Sequence, residues 1–326
     1  MTQYLNQEQL EHLKNSLYIN FHGKEICDEC TDIIPIEMDG NTAKLKMFIA
    51  SKKAVNRQDN TLKQYTREIR NMLNFLCKPI EDITGMDLRY YYGVMREKRH
   101  IQMSTMQTRL HYLSSFWDFL ITEELVHNNP VKKVGLLKID KTIKKPFPAE
   151  ELEALRVNCS NTRDRALIEF LYSTGVRVSE LVSLNVDDIN LSKQELIVYG
   201  KGSKERKTYL TDSAKFYLER YLKSRCLDGK TIDDLKQEPL FVTLDLPHNR
   251  LTKAGVQYML RQLGKQSGVK NVHPHRFRRT IATDLLAREM PIEQVKEFLG
   301  HEKLDTTMIY CTVKEECVRS SHRKYA

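Results

Sequence analysis

The chain has 326 residues, 40% hydrophobic and 29% charged, and its 52 Lys and Arg residues against 43 Asp and Glu residues give a formal net charge of +9. This length suffices for two domains with separate cores, and the composition excludes a disordered or fibrous chain. No run of about 18 apolar residues occurs, which excludes a membrane-spanning helix; without a signal-peptide core, the chain is expected in the cytoplasm. The basic excess favours a polyanionic partner, above all a nucleic acid.

The seven cysteines are scattered along the chain and odd in number, which argues against a disulfide framework. Cys27 and Cys30 form a C-x-x-C pair with His22 nearby. A structural zinc needs four ligands, and no second pair follows at a suitable spacing. We therefore predict ordinary thiols and no bound metal.

Residues 1–41 are predicted to be an N-terminal extension, and residues 42–133 a small helical domain. In the second segment apolar residues recur at steps of three and four, which is typical of amphipathic helices. Helices are expected over residues 86–98 and 104–124. Pro130 closes the segment, because the residue before a proline is pushed out of the helical region.

An earlier helix in this domain has the clearest pattern. Leu62, Ile69 and Met72 belong to one apolar face at helical spacing. Asn60 and Thr61 precede this run and have side chains that accept hydrogen bonds from free backbone N–H groups, so they are predicted to cap the helix.

A basic segment follows the helical domain. Residues 131–145 contain six lysines against one acid, Asp140, and Pro146 and Pro148 come next. We predict a basic linker over residues 134–147 rather than a packed element. Such a linker is either a solubilising tether or, in a DNA-binding protein, a strap that crosses phosphates.

The pattern changes at Pro148, where a new helix is expected with proline in its first turn. Another helix is predicted over residues 163–173, ended by Gly175. Residues 195–199 and 207–210 are rich in β-forming residues and flank a glycine-rich polar turn, which predicts a hairpin. Later helices are predicted over residues 213–223, 252–267, 279–288 and 292–299.

Two segments carry arginine in patterns suited to holding a phosphate. A planar, permanently charged guanidinium is the natural partner of non-bridging phosphate oxygens. Arg177 follows the helix-ending glycine in the sequence TGVRVSEL. In the sequence HPHRFRRT, His275 and Arg278 are three residues apart, and so are His273 and Arg276, so the spacing alone leaves both pairs open.

Two more segments supply groups that can act as acid or nucleophile. The turn of the predicted hairpin contains Lys201, with Lys204 and Lys207 close by, and any of them is able to donate a proton. Near the C-terminus an L-G-H sequence ends at His301, and Tyr310 follows nine residues later.

Together these segments resemble the tyrosine recombinase, or phage integrase, family in its bacterial Xer-like branch. The family signature is a T-G-x-R-x-S-E-L box, a G-K-G-x-K-x-R hairpin, an H-x-x-R box, and then L-G-H with a tyrosine nine residues later; all occur here in order. The resemblance spans roughly residues 42–326, although the first half matches by position and pattern only. It implies a mainly α fold with a small β-sheet, a two-domain C-shaped clamp with a helical, SAM-like core-binding domain at 42–133 and an α/β catalytic domain at 148–326.

The resemblance also implies the central chemical roles. Tyr310 attacks phosphorus and forms a 3′-phosphotyrosyl link, which leaves a free 5′-hydroxyl. Arg177 and Arg278 hold the non-bridging oxygens. Because the bond energy is kept in the protein–DNA ester, neither a metal nor another cofactor is needed.

The remaining roles concern proton transfer and support. Lys201, favoured by its position in the family's hairpin, is the general acid toward the 5′-oxygen. His275, which follows a proline as in the family's box, is the base or proton relay, and His301 hydrogen-bonds the phosphate in the transition state. Glu180 is expected to support packing and orientation rather than proton transfer.

The implied partner is double-stranded DNA with inverted-repeat core sites, bound by a homotetramer that exchanges strands through a Holliday junction in the bacterial nucleoid. The subunits are expected to exchange their C-terminal tails, residues 311–326, and no membrane is involved. Several basic residues of the helical domain are candidates for contacting either phosphates or base edges. They are Arg67, Lys98, Arg99 and Arg109.

Other functions compete with this interpretation. Within recombinases, the extension over residues 1–41 favours integration and excision of a mobile element over chromosome or plasmid dimer resolution, although it is short for a complete arm-binding domain. A type IB topoisomerase shares the chemistry, but the L-G-H box and the compact N-terminal domain argue against it. A catalytically silent DNA-binding protein is disfavoured because every catalytic position is intact.

Overall fold

The computed structural model describes residues 40–135, 145–200, 205–226 and 231–310. Contacts divide the chain into two compact units on either side of the boundary between Lys141 and Thr142. Several sequence-based predictions therefore lie outside the described residues: the extension before residue 40, the Cys27–Cys30 pair, the lysine-rich centre of the linker, Lys201 and Lys204, and the C-terminal tail.

In the first unit, residues 40–135 form four α-helices: α1 (Gly40–Ala54), α2 (Asp59–Leu76), α3 (Gly85–Arg99) and α4 (Met103–Thr122). Their apolar faces meet in a core rich in aromatic rings. Phe48 of α1 packs edge-on against Tyr65 of α2 and Phe116 of α4, with ring centroids 5.2 and 5.3 Å away. Trp117 is buried in the same core.

The N-termini of α2 and α3 are stabilised in different ways. The predicted cap at Asn60 and Thr61 is wrong, because α2 already begins at Asp59 and the side chain of Gln58 before it makes no capping hydrogen bond. The acidic group of Asp59 in the first turn instead favours the positive end of the helix dipole. At α3, by contrast, Thr84 and Asp87 form a complete capping box.

The basic segment after α4 begins with a packed turn. Pro130–Lys133 forms a 3₁₀ turn in which the Asn129 side chain accepts from Val131 N–H at 3.0 Å. Val131 is buried, and the last carbonyl of the turn accepts from Arg89 at 2.7 Å. One buried apolar side chain thus docks residues 131–133, which precede the predicted linker at 134–147, against the first unit.

Besides short 3₁₀ turns, the described residues of the second unit form eight α-helices and one small sheet. The elements are α5 (Ala149–Val157), α6 (Thr162–Thr174), α7 (Val178–Ser183), β1 (Ile189–Asn190), β2 (Glu195–Tyr199), β3 (Glu205–Tyr209), α8 (Asp212–Arg225), α9 (Lys253–Ser267), α10 (Pro274–Ala287), α11 (Ile292–Leu299) and α12 (Leu304–Met308). The strands are antiparallel in the order β1-β2-β3, and Tyr199 pairs with Glu205 at the hairpin turn. The predicted fold class, mainly helical with a small sheet, is confirmed.

Helix α6 lies at the centre of this unit, with Ala166, Leu167, Phe170 and Leu171 buried. It ends at Gly175, which takes the left-handed conformation at φ 58°. A Cβ at this glycine would lie 3.1 Å from the Leu299 side chain of α11, so the position combines a left-handed turn with a close approach.

Helix α10 begins five residues before the predicted start, at Pro274 instead of Arg279. Proline is well suited to the first helical position because its N–H would have no partner there. The run of basic residues concealed the apolar pattern in this first turn, where Phe277 packs its ring 4.8 Å from that of Phe147. Consequently both His275 and Arg278 belong to the helix.

Candidate active site

Arg177 is positioned by the start of α7. It occupies the N-cap, and Glu180, at the third helical position, accepts from the Arg177 backbone N–H at 2.8 Å. The Arg177 guanidinium folds back onto the same carboxylate, with Nη1 2.7 Å from Glu180 Oε1. Its Nη2 donates to the carbonyl of Gly300 at 3.2 Å, and one third of its side chain (33%) remains exposed.

A second arginine shares that carboxylate. Arg206 of β3 donates from both terminal nitrogens to Glu180, at 2.9 and 2.7 Å, which is the strong bidentate geometry. Its Nε donates to the carbonyl of Phe298 at 3.1 Å. Burial alone would raise the pKa of Glu180, but the hydrogen bonds from Arg206 and Arg177 outweigh it and lower the pKa to about 2.

Arg278 is more deeply buried than these two arginines and is only 2% exposed. Nη1 donates to the carbonyl of Gly175 at 2.5 Å, and Nη2 donates to the carbonyl of Leu299. Burial, followed by the charges of Arg177 and Arg206, lowers the pKa of Arg278 to about 9. This guanidinium therefore remains positively charged at neutral pH.

The C-terminus of α11 joins these contacts. Its last carbonyls, those of Phe298 and Leu299, and that of the following Gly300 each accept from a different arginine: Arg206, Arg278 and Arg177 respectively. Carbonyls at a helix C-terminus lack partners within the helix and carry partial negative charge, which favours cations there.

Immediately after this terminus, His301 approaches Tyr310. Its Nδ1 lies 2.8 Å from the hydroxyl of the buried Thr307, and its ring centroid lies 5.9 Å from that of Tyr310. Burial and the nearby arginine charges, that of Arg278 first, lower the pKa of His301 to about 4. The imidazole is therefore neutral at pH 7.

Tyr310 itself is half-buried and packs against the small cluster formed by Ala282, Val295 and Leu299. Its backbone N–H donates to the carbonyl of Thr307 at 2.9 Å. His275 is exposed in the first turn of α10, one turn before Arg278. Among the six predicted site residues, the structure brings Arg177, Arg278, His301 and Tyr310 into one neighbourhood, and Lys201 lies outside the described residues.

The rival pair at the start of α10 is engaged differently. Arg276 donates to Glu151 at 2.6 Å and to the carbonyl of Lys270 at 2.7 Å, and its guanidinium lies 4.0 Å from the centre of the Phe147 ring. These contacts fix the segment around Phe147 and Glu151 at the start of the second unit. In the hairpin, Lys207 is exposed and lies 3.8 Å from Glu195.

Arg206 and Thr307 were not singled out from the sequence. Arg206 is the last position of the G-K-G-x-K-x-R box, so a signal was present, but an arginine in a strand gives no indication of its partner. Thr307 lies in an ordinary helical turn, and only the fold brings its hydroxyl to His301.

The cluster suits a reaction that develops negative charge. Arg177 and Arg206 pair with the ionised carboxylate of Glu180, and Arg278 donates to carbonyls nearby. Three guanidinium groups and one carboxylate leave an excess of two positive charges beside a neutral histidine and a tyrosine. A phosphodiester carries one negative charge, and attack by a phenolate brings a second one to phosphorus, so the excess matches the transition state. In the described part of the chain, no group of three or more His, Cys, Asp or Glu side chains is placed to bind a metal ion. Nor does any helix there combine the length and apolar character needed to cross a membrane.

Comparisons with known proteins identify the family of the chain. Residues 145–316 match the model of the phage integrase family, and residues 45–126 match that of the phage integrase N-terminal SAM-like domain. The chain belongs to the phage integrase family of tyrosine recombinases. The resemblance found in the sequence and the predicted enzyme class are thereby confirmed.

Individual relatives extend over most of the chain. The chain is 37% identical over 277 residues to the tyrosine recombinase XerC of Bacillus licheniformis, an alignment that covers 81% of this chain and 90% of that protein. It is 33% identical over 280 residues to the XerC of Leptospira interrogans, covering 82% and 88%. Among solved structures, the Tn1549 transposon integrase in complex with transposon right end DNA has a TM-score of 0.71 at 19% identity and covers 86% of this chain and 98% of that one. This last similarity concerns the fold.

Proposed function

We propose that this protein is a site-specific recombinase that binds duplex DNA and cleaves it through a 3′-phosphotyrosyl link to Tyr310. The observation that carries the proposal is the buried excess of positive charge beside His301 and Tyr310. Such a cluster is destabilising unless an anion meets it, and a scissile phosphate is the anion that the family's reaction supplies.

In this mechanism the Tyr310 oxygen attacks phosphorus, and the bond from phosphorus to the 5′-oxygen breaks. Arg177, the more exposed guanidinium, contacts the non-bridging oxygens. Arg278 stabilises the developing charge from beneath, with the donors that are not engaged by carbonyls. These fixed charges act most strongly in the transition state, which is the requirement for catalysis.

Protons move at two places. His275 accepts the proton from the Tyr310 hydroxyl, and Lys201 donates one to the departing 5′-oxygen. His301, neutral and oriented by Thr307, offers a hydrogen bond to the phosphate. Religation reverses these steps with the 5′-hydroxyl of another strand, so no external energy source is needed.

At the level of assembly, we propose a homotetramer on two sites with inverted-repeat cores, tail exchange through residues 311–326, and a Holliday junction intermediate. We also propose the domain boundaries 42–133 and 148–326 with the linker at 134–147, and integration and excision of a mobile element as the biological role. The alternative role is dimer resolution, which the likeness to the XerC proteins favours. Joining of two supplied sites in different molecules, against resolution of a circular dimer with directly repeated sites, distinguishes the two.

The test of the proposed chemistry is covalent capture. The protein is mixed with a pool of nicked duplexes carrying randomised half-sites, so that the fragment with the 5′-hydroxyl diffuses away after cleavage. We expect a protein–DNA adduct that survives SDS, and its loss in Tyr310→Phe. An adduct that persists in this variant places the nucleophile elsewhere, with Tyr325 the nearest candidate. Tight binding without any adduct supports a silent DNA-binding protein.

A further inference from the structure

We propose that Arg206 is a positioning residue for the phosphate-binding arginine, Arg177, and that it acts through Glu180 and through the C-terminus of α11. This inference rests on the proposed function, in which Arg177 meets the scissile phosphate. It adds a third arginine, with a role distinct from those of Arg177 and Arg278.

The contacts of Arg206 leave little of it for DNA. Three of its five donors are engaged: Nη1 and Nη2 with Glu180, and Nε with the carbonyl of Phe298. Its side chain is 8% exposed, against 33% for Arg177. Arg206 therefore faces protein, whereas Arg177 retains free surface on which to receive an anion.

Arg206 and Arg177 share one carboxylate, that of Glu180, and each donates to a carbonyl at the same helix end. Glu180 accepts from the Arg177 side chain at 2.7 Å and from its backbone N–H at 2.8 Å. The carbonyl of Gly300, two residues after the Phe298 carbonyl that Arg206 engages, accepts from the other end of the Arg177 guanidinium. Arg206 thus fixes the carboxylate and the helix end to which Arg177 is hydrogen-bonded.

Packing tightens this arrangement. A Cβ on Gly300 would lie 2.8 Å from Cδ of Arg206 and 3.3 Å from its Nε, so the glycine backbone lies directly against the Arg206 side chain. Gly300 also has φ 65°, which only glycine adopts readily. The helix end that leads to His301 is consequently braced by β3, and only a long, forked side chain reaches both the carboxylate and the carbonyl.

Arg206→Lys tests the inference, because lysine keeps the charge but loses the planar fork. Two nicked half-site substrates are compared: the ordinary phosphodiester, and a methylphosphonate in which a neutral methyl group replaces one non-bridging oxygen. The second is neutral in the ground state and develops one negative charge in the transition state instead of two, so it depends less on a correctly placed Arg177. We expect single-turnover adduct formation to fall on the order of 10²-fold on the phosphodiester, the effect of a displaced catalytic group, and to change less than about threefold on the methylphosphonate.

Two further variants serve as controls. Arg225→Lys alters another arginine that donates to carbonyls, those of Pro239 and Leu240, and should leave both substrates unaffected. Glu180→Gln should reproduce the substrate-selective loss, and combining it with Arg206→Lys should add little, because both act through one contact. These variants keep the inference testable if Arg206→Lys folds poorly.

Equal loss on both substrates would assign Arg206 a merely structural role and overturn the inference, as would full activity of Arg206→Lys on the phosphodiester. Additive losses in the double variant would equally contradict action through Glu180. If the wild-type protein forms no adduct on either substrate, it is the proposed function that fails, and the inference with it.

Discussion

Two glutamates, Glu68 in the first unit and Glu180 in the second, are almost equally buried, at 3% and 4% exposure. Glu68 accepts from the hydroxyls of Tyr91 and Tyr92 at 3.3 and 3.1 Å, and the nearest guanidinium nitrogen, on Arg109, is 3.4 Å away. Glu180 accepts bidentate bonds from one arginine and further bonds from another.

The two carboxyl groups consequently respond to burial in opposite ways. Burial raises the pKa of Glu68, and its partners only partly offset the effect. At Glu180 the arginines outweigh burial and bring the pKa to about 2. The geometry of the partners, rather than the degree of burial, therefore decides whether a buried carboxylate is a firm anchor for cations.

The largest difference is expected when each glutamate becomes the neutral amide. Glu180→Gln leaves two guanidinium groups without their anion, so we expect adduct formation to fall on the order of 10²-fold. The free energy of unfolding should fall by about 3 kcal/mol, as when one member of a buried ion pair is removed. Single-turnover cleavage and chemical denaturation measure the two effects. Retention of wild-type cleavage would contradict the role of Glu180 as the anchor of the two arginines.

A smaller effect is expected from filling the space that Arg206 occupies beside α11. Gly300→Ala combines a left-handed backbone with a clash against Arg206, whereas Gly268→Ala has a left-handed backbone (φ 72°) and nothing within 4 Å of the added Cβ. The Gly268 variant should lose about 1 kcal/mol of unfolding free energy. The Gly300 variant should lose about 1–3 kcal/mol more, together with cleavage activity. Equal losses of unfolding free energy in the two variants would mean that the Arg206 side chain moves aside at no cost.

Glu180→Gln and Glu68→Gln should differ in how their melting temperatures, relative to that of the wild type, change with pH: the first should fall and the second should rise as pH increases. The folded-state pKa of Glu180 is depressed, so its contribution is present above the ordinary pKa of 4.5 and is lost as pH falls toward about 2. The melting temperature deficit of Glu180→Gln should therefore widen from pH 4 to pH 7.

For Glu68 the folded-state pKa is raised, so the wild-type protein loses stability as pH rises above 4.5. Glu68→Gln escapes this loss, and its melting temperature should improve relative to wild type over the same interval. Parallel curves for the two variants, recorded by thermal scans, would contradict the assignment of the shifts.

The smallest effect is expected from Glu68→Gln at neutral pH. The amide still accepts from both tyrosines and avoids burying a charge, so the free energy of unfolding should change by less than about 1 kcal/mol. Its adduct yield on saturating DNA should equal that of the wild type. A loss as large as that of Glu180→Gln would show that the Arg109 contact, despite its length, anchors the first unit.

The fold class was predictable from the sequence, and so was a set of residues that lie close together in the structure, namely Arg177, Arg278, His301 and Tyr310. These residues belong to short sequence motifs at or near helix ends, and the fold brings those ends together. Gly175 ends α6 as expected, and Arg177 follows at the next helix start. The predicted start of α10 was five residues too late, because only Pro274 and Phe277 indicate a helix there and basic residues surround them.

What the sequence did not indicate is contact between distant segments. No local pattern shows that the carbonyls of Phe298, Leu299 and Gly300 receive three arginines from three other elements. Such contacts depend on backbone atoms, which every residue has, so they leave no residue-specific signal. The failed cap at Asn60 and Thr61 has a local cause instead, since α2 begins one residue earlier with the acidic Asp59 in its first turn.

The identity of the protein atom that joins DNA is the most direct test of the proposed chemistry. The adduct trapped on a nicked half-site is digested with nuclease and protease, and the peptide that carries the residual nucleotide is sequenced by mass spectrometry. We expect a nucleotide joined through its 3′-phosphate to Tyr310 and to no other residue. A nucleotide attached to a different side chain, or to the 5′ end of the DNA, would contradict it.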